Sequence, residues 1–206
     1  LPVVPSVKPT EIDRKVAAII MEHLHDGCCL QLGIGGMPNA VGEMIANSDL
    51  KDLGIHTEMF VDSMVDMVER GMVTGAKKNI DRYKIVAVFA LGTQKNYDFI
   101  NENPMCYFMP GSYTNDPNVI GQLDNFVSIN NCIDVDLFGQ INSESSGLRA
   151  ISGTGGALCF ALGALRSKGG RSFICMSSTF SKDGQVFSRI RPILEPGSAV
   201  TIHRAL

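Results

Sequence analysis

The stretch Leu30–Glu58, LQLGIGGMPNAVGEMIANSDLKDLGIHTE, decides the fold. A short apolar strand, Cys28 to Leu32, breaks into Gly33-Ile34-Gly35-Gly36-Met37-Pro38, and a helical run begins at Asn39. A second strand, Gly54 to Thr57, follows and delivers one acid, Glu58. Glycines directly after a strand let the backbone turn tightly and leave its N–H groups exposed. Pro38 presets the first helical turn, where its missing donor costs nothing. The product is a set of backbone donors beside a helix N-terminus, both favourable to negative charge. With parallel strands flanking that helix, Glu58 leaves the sheet on the edge that carries the glycine loop. A carboxylate facing backbone donors suits covalent catalysis.

Around this unit the chain alternates strand and helix. Residues 1–9 are Pro-rich and read as a linker or arm ahead of one α/β domain, 10–206. Thr10 caps a helix with Asp13 in its first turn, placing Ile12, Val16, Ile19, Ile20 and Leu24 on one face; Gly27 ends it. A second helical run reaches Arg70 and closes at Gly71. The four methionines between 59 and 72 read as core filling. Asp62, Asp66 and Glu69 form the wet face of that helix. Lys84–Leu91 is a buried strand, Gln94–Glu102 a helix and Met105–Met109 a strand. Asn115-Asp116-Pro117 starts a helix. Strands at Phe126–Ile129 and Ile133–Phe138 are joined by Asn130-Asn131. A glycine- and serine-rich loop, Gly139–Gly156, leads to the helix Ala157–Leu165. Phe173–Met176 is a strand, and Lys182-Asp183-Gly184 turns a hairpin. The whole reads as an open, largely parallel sheet with flanking helices and an antiparallel end.

Composition removes several function classes. A net charge of −3 gives no basic footprint for nucleic acid. No apolar run reaches membrane-span length, and the first residues lack a signal peptide's charged-then-apolar order. The six cysteines form no CxxC and sit mostly in apolar runs, which fits reduced thiols in a cytoplasmic protein.

Two glycine loops precede helices: Gly33–Pro38, and Gly153-Thr154-Gly155-Gly156. Neither completes GxGxxG, because Pro38 and Leu158 take the third glycine's place; they read either as an anion or oxyanion site or as plain tight turns. His56-Thr57-Glu58 matches half of a zinc-deaminase signature, but the PCxxC half is absent, so no metal is expected. His56 shares a strand face with Glu58 and reads as a core histidine, with positioning of the carboxylate as the other reading. Glu144, in GQINSES, also follows a strand. On the residues alone Glu58 and Glu144 are even as candidate acids, and either could be a solvated loop charge.

GIGGMPNAV, GIHTEMF, YTNDPNVI and GQINSESSGLRAISGTGG, in this order, resemble the class I coenzyme A transferases, in the acetyl-CoA hydrolase/4-hydroxybutyrate and butyrate CoA-transferase branch. The resemblance implies a CoA-transferase-like sheet, two such domains per polypeptide, with most of the second represented here. It implies that Glu58 is the nucleophile and that main-chain N–H groups near Ile34, Gly35 and Gly153 stabilise oxyanions. Gly33, Gly36, Gly155 and Gly156 then line the substrate or coenzyme A site. Asn115 sits near the acyl or thioester group, and Glu144 supports the loop or contacts coenzyme A. Acyl-CoA and a short-chain carboxylate are the expected partners, coenzyme A is a substrate rather than a resident cofactor, and a homodimer or larger assembly is implied. Ala157 and Cys159 stand where the family usually carries Gln and Asp. The family's first domain and its Val-Thr-Glu-Tyr-Gly motif have no counterpart, so the chain alone is expected to show little turnover. An acyl-CoA hydrolase, and a non-catalytic phospho-ligand-binding relative of the sugar-phosphate isomerase fold, are the competing readings.

Overall fold

Cys29 pairs with Gly54 on one side and Phe126 on the other, so the strand before the glycine loop lies inside a parallel sheet. The computed structural model describes residues 2–203; Leu1 of the expected arm and residues 204–206 of the expected domain lie outside them. Among the described residues the chain runs α1 (Glu11–Met21), β1 (Cys29–Leu32), α2 (Gly36–Ala46), β2 (Gly54–Phe60), α3 (Asp62–Glu69), β3 (Ile85–Ala90), α4 (Gln94–Ile100), β4 (Cys106–Phe108), α5 (Gly111–Thr114), α6 (Pro117–Ile120) and β5 (Phe126–Asn131). It continues through β6 (Asp134–Asp136), β7 (Gln140–Asn142), β8 (Ser145–Ser146), β9 (Arg149–Ala150), α7 (Ala157–Arg166), β10 (Arg171–Cys175), β11 (Thr179–Lys182), β12 (Gln185–Ser188), β13 (Ile190–Arg191) and β14 (Ile202–His203).

The main sheet has six strands in the order β10, β5, β1, β2, β3, β4, every neighbouring pair parallel. All of β1 is buried, as a strand covered on both faces requires. One core cluster joins Leu32, Phe60 and Ile85 with Ile20, Val41, Ile45 and Met64 of α1 to α3. The other packs Phe126 against Ile120, Leu123 and Phe160. Met59, Met64, Met67 and Met72 are all buried, matching the core reading. The chain leaves β1 towards β2 and leaves β5 the opposite way towards β10. The β1/β5 junction is therefore where the winding direction reverses, and ligands of open α/β sheets bind in the crevice at the carboxyl ends of such strands. Beyond β5 a smaller sheet, β13, β6, β7, β14, and the antiparallel β11–β12 hairpin extend the domain.

The expected elements recur with adjustments. Thr10 closes a full capping box with Asp13, a device typically worth about 1 kcal/mol. The α1 stripe is narrower than expected: Ala17 and Ile20 are buried, while Ile12 and Ile19 face solvent. Helix α2 begins at Gly36, one turn before Asn39, because Gly35 supplies the N-cap. Strand β2 runs on to Phe60, so Glu58 is within it. Asn130 and Asn131 belong to β5 rather than to a connection, since the Asn130 amide finds partners inside the sheet. The Gly139–Gly156 segment holds β7, β8 and β9: the Asn142 side chain bonds the backbone of Glu144 and Ser145 and folds the chain back. Asp62 is no solvated charge; its carboxylate takes the Thr93 N–H and hydroxyl. Asp66 and Glu69 do lie outward, on Lys95. The arm is pinned along its length, Val4 N–H donating to the Gly92 carbonyl and Asn39 Nδ2 to the Val7 carbonyl. The six cysteines are free thiols, three of them buried.

Candidate active site

Glu58 leaves β2 towards the end of α5 and the start of α7, near the carboxyl end of the sheet. Its two oxygens are held separately. Asn115 Nδ2 donates to Oε1 at 3.1 Å, and the Gly156 N–H donates to Oε2 at 2.9 Å. Asn115 is presented by the end of α5, and Gly156 is the residue that opens α7. The carboxylate therefore meets one side-chain amide and one helix N-terminus, two donors that favour charge.

A cavity of about 390 Å³ opens over it, bounded by Gly33 and Ile34 from the first glycine loop and by Gly153 to Gly156 from the second. Gln31, Asn130 and Ser143 supply polar wall, and Met59, Phe89 and Ile133 apolar wall. The floor is a closed hydrogen-bond cluster. Ser128 Oγ donates to Gln31 Oε1 at 2.8 Å, Asn130 Nδ2 donates to the same oxygen at 3.1 Å, and Gln31 Nε2 returns a bond to Asn130 Oδ1 at 3.2 Å. A buried polar cluster with its members satisfied holds one arrangement. Asn131 reaches up from this floor, its Nδ2 donating to the Ile34 carbonyl at 3.1 Å. That bond fixes the loop's peptide planes. Gly35, at φ +116°, adopts a backbone conformation open to glycine alone, and a Cβ there would meet Asn131 Nδ2 at 2.7 Å.

The structure gathers most of the expected site residues and disperses a few. Glu58, Asn115 and Gly156 are in contact, and Gly33, Ile34, Gly153 and Gly155 face the same cavity. Gly35 lines a neighbouring cavity with Ile34. Gly36 turns towards Asp13 of α1, which a Cβ there would touch at 2.7 Å. Glu144 lies outside the cavity wall; its carboxylate takes the Thr154 hydroxyl at 3.4 Å, so its link to the site is through the second glycine loop. Ala157 faces the cavity. The Cys159 thiol is held above its usual pKa by burial and by the nearby Glu58 carboxylate. Gln31, Ser128, Asn130 and Asn131 escaped the sequence reading. The available signal was a polar residue inside each of two apolar strands, CCLQL and FVSINN. No three His, Cys, Asp or Glu side chains converge among the described residues.

His56, two residues before Glu58 in β2, is fully buried. Its Nε2 lies 2.8 Å from the Thr114 carbonyl, which can only accept, so Nε2 carries the proton. Nδ1 has no partner, and the ring is only partly satisfied. It anchors the residue next to Asn115, the amide on Glu58. Burial pushes its pKa down to about 4 against the stabilising Thr114 carbonyl. The unfolded chain takes up this proton near pH 6.5, so between those values the unfolded state binds more protons and stability falls as pH falls. Acidification from pH 7 to 4 is expected to cost about 3 kcal/mol through this group. Denaturant melts across that range should show the drop, and His56→Gln should flatten it.

The chain is 58% identical over 95% of its length to a butyryl-CoA:acetate CoA-transferase of Anaerostipes caccae, of which it covers 44%. Among solved structures, RipA of Yersinia pestis superposes with a TM-score of 0.89 and 41% identity, covering 98% of this chain and 44% of that one. A 4-hydroxybutyrate CoA-transferase of Porphyromonas gingivalis gives 0.80 and 38%, over 94% of this chain and 46% of that one. The chain thus spans less than half the length of the relatives it matches. Residues 92–206 match the model of the acetyl-CoA hydrolase/transferase C-terminal domain, and the chain belongs to that family.

Proposed function

We propose that this chain carries the nucleophile of a coenzyme A transferase that moves coenzyme A from a short-chain acyl-CoA, such as acetyl-, butyryl- or 4-hydroxybutyryl-CoA, to a free carboxylate. The supporting observation is the Glu58 carboxylate, fixed by two donors beneath two glycine loops at the β1/β5 crevice. In this reading a Glu58 oxygen attacks the thioester carbonyl, the C–S bond breaks, and an acyl–glutamyl anhydride and the CoA thiolate form. The thiolate then attacks the Glu58 carbonyl carbon. The C–O bond to that carbon breaks, the first acid departs with one glutamyl oxygen, and a glutamyl-CoA thioester remains. A second carboxylate runs the steps in reverse and restores the oxygen. Each step develops an oxyanion, for which one aimed donor is worth about 10²–10³ in rate. Asn115 Nδ2 and the Gly156 N–H hold the resting carboxylate, and the N–H groups near Ile34, Gly35 and Gly153 serve the substrate side. Kinetics are ping-pong.

The test is to incubate the complete protein with acyl-CoA alone and map the adduct by peptide mass. A CoA thioester on the Glu58 peptide is expected. An adduct on Glu144 reassigns the nucleophile, and none at all removes the transferase reading. Stoichiometric release of free CoA without added carboxylate would make the protein an acyl-CoA hydrolase instead.

A further inference from the structure

A second cavity, about 440 Å³, lies against the first. We propose that it seats the acyl chain of the substrate, and that it favours uncharged chains longer than acetyl over acyl groups bearing a second carboxylate. This rests on the transferase reading of Glu58 and adds the substrate class.

Three observations converge. Ile34 and Met59 line both cavities, so a chain attached to a carboxyl carbon at Glu58 has a continuous apolar path between them. Ile34 is 64% exposed at that junction, an apolar side chain left open beside the site. Beyond it the wall is Val4 and Val7 of the arm, Val61 and Leu91. The volume is that of a small-molecule site. Asn39 and Asp62 on the wall are already engaged, while the buried Ser63 hydroxyl has no partner among the described residues. The Asn39 amide donates to Ser6 Oγ and the Val7 carbonyl, and the Asp62 carboxylate is taken by Thr93. Among the described residues no lysine, arginine or histidine lines the cavity, and the one charged side chain on its wall, Asp62, is negative. A second carboxylate would enter without a cation and beside a like charge, which disfavours it. A methylene chain, by contrast, loses only water. One methylene in an apolar pocket discriminates by about 10–200-fold.

The experiment narrows the cavity in the complete protein. Leu91→Phe should lower the butyryl-over-acetyl ratio of kcat/KM by at least about tenfold. Val7→Phe, on the exposed arm where folding is little at risk, should shift it the same way. In the parent protein, succinyl-CoA should be used at least about a hundredfold less well than butyryl-CoA. In methyl-labelled protein, butyrate should move the Val7, Ile34 and Leu91 signals and succinate should not. An unchanged ratio in both variants, succinyl-CoA used on a par with butyryl-CoA, or methyls that respond to pantetheine and not to butyrate would overturn the assignment. The Glu58 adduct separates the two claims. With the adduct present and the ratio unmoved, only the acyl seat fails; with the adduct absent, the transferase reading fails first.

Discussion

Glu58→Ala in the complete protein is expected to lower acyl transfer by at least about 10⁴-fold, the scale on which covalent enzymes lose turnover with their nucleophile. The fold should survive. Glu58 is half-buried at an open cavity, so the Asn115 amide and the Gly156 N–H it leaves behind can take water. A melting temperature within about 4 °C of the parent is therefore expected. Glu58→Asp adds a geometric control, since the shorter arm keeps the charge and withdraws it from both donors. Initial rates with saturating acyl-CoA and carboxylate, together with a melt, decide the matter. Residual activity above a tenth of the parent would show that Glu58 is not the attacking group, and a comparable loss in Glu144→Ala with Glu58→Ala active would transfer the role.

Gly156→Ala should come next in size. The backbone there is at φ −95° and ψ 0°, which alanine tolerates, so the cost comes from the space a Cβ must take. It would stand 2.7 Å from Glu58 Oε2, 2.8 Å from Asn115 Nδ2 and 2.9 Å from Phe160 Cε2. The Phe160 ring cannot yield readily, because it is buried and stacked on Phe126 with centroids 6.2 Å apart. The carboxylate and its amide must move instead. A turnover loss of about 10²–10³ is expected, the value of one aimed donor, with about 1–3 kcal/mol of overpacking. Gly155→Ala is the contrasting variant. Its φ of +57° makes alanine strained, but its Cβ would lie 3.9 Å from Glu58 Oε2. It should therefore lose stability more than turnover. Similar kinetic losses in both would mean that loop strain, rather than crowding of the carboxylate, controls the rate.

Local chemistry was legible in the sequence and long-range chemistry was not. The β1–α2–β2 unit could be read because its signals are contiguous: an apolar run, a glycine break, a proline in the first turn. Asn115 could be placed at the site only through the family resemblance, since nothing within YTNDPNVI says that its amide faces an acid 57 residues earlier. The donor on Glu58 Oε2 shows the same limit. That donor is the N–H of Gly156, 98 residues from Glu58 in the chain, a residue the resemblance named only as lining the substrate or coenzyme A site. The floor was missed because Gln31, Ser128 and Asn130 are polar residues in strands whose pairing, not their own pattern, gives them partners. The chain termini of elements moved for a similar reason. Glu58 stays within β2 because β3 continues to pair with it, Met59 and Phe60 lying opposite Phe89 and Ala90.

The strand order carries a consequence for how the chain acquires this site. β1 and β5 are neighbours in the sheet, yet Gln31 and Ser128 are 97 residues apart in sequence. Strands β1 to β4 can assemble progressively as they leave the ribosome, but the flank of β1 that will receive β5 stays bare until residue 131 has been made. An open parallel edge of apolar residues is a template for mispairing, and closure over so long a loop is slow. Nascent chains halted between β4 and β5 should therefore be the species most in need of a chaperone, and the crevice that holds the carboxylate should be among the last parts of the molecule to gain protection from hydrogen exchange during refolding.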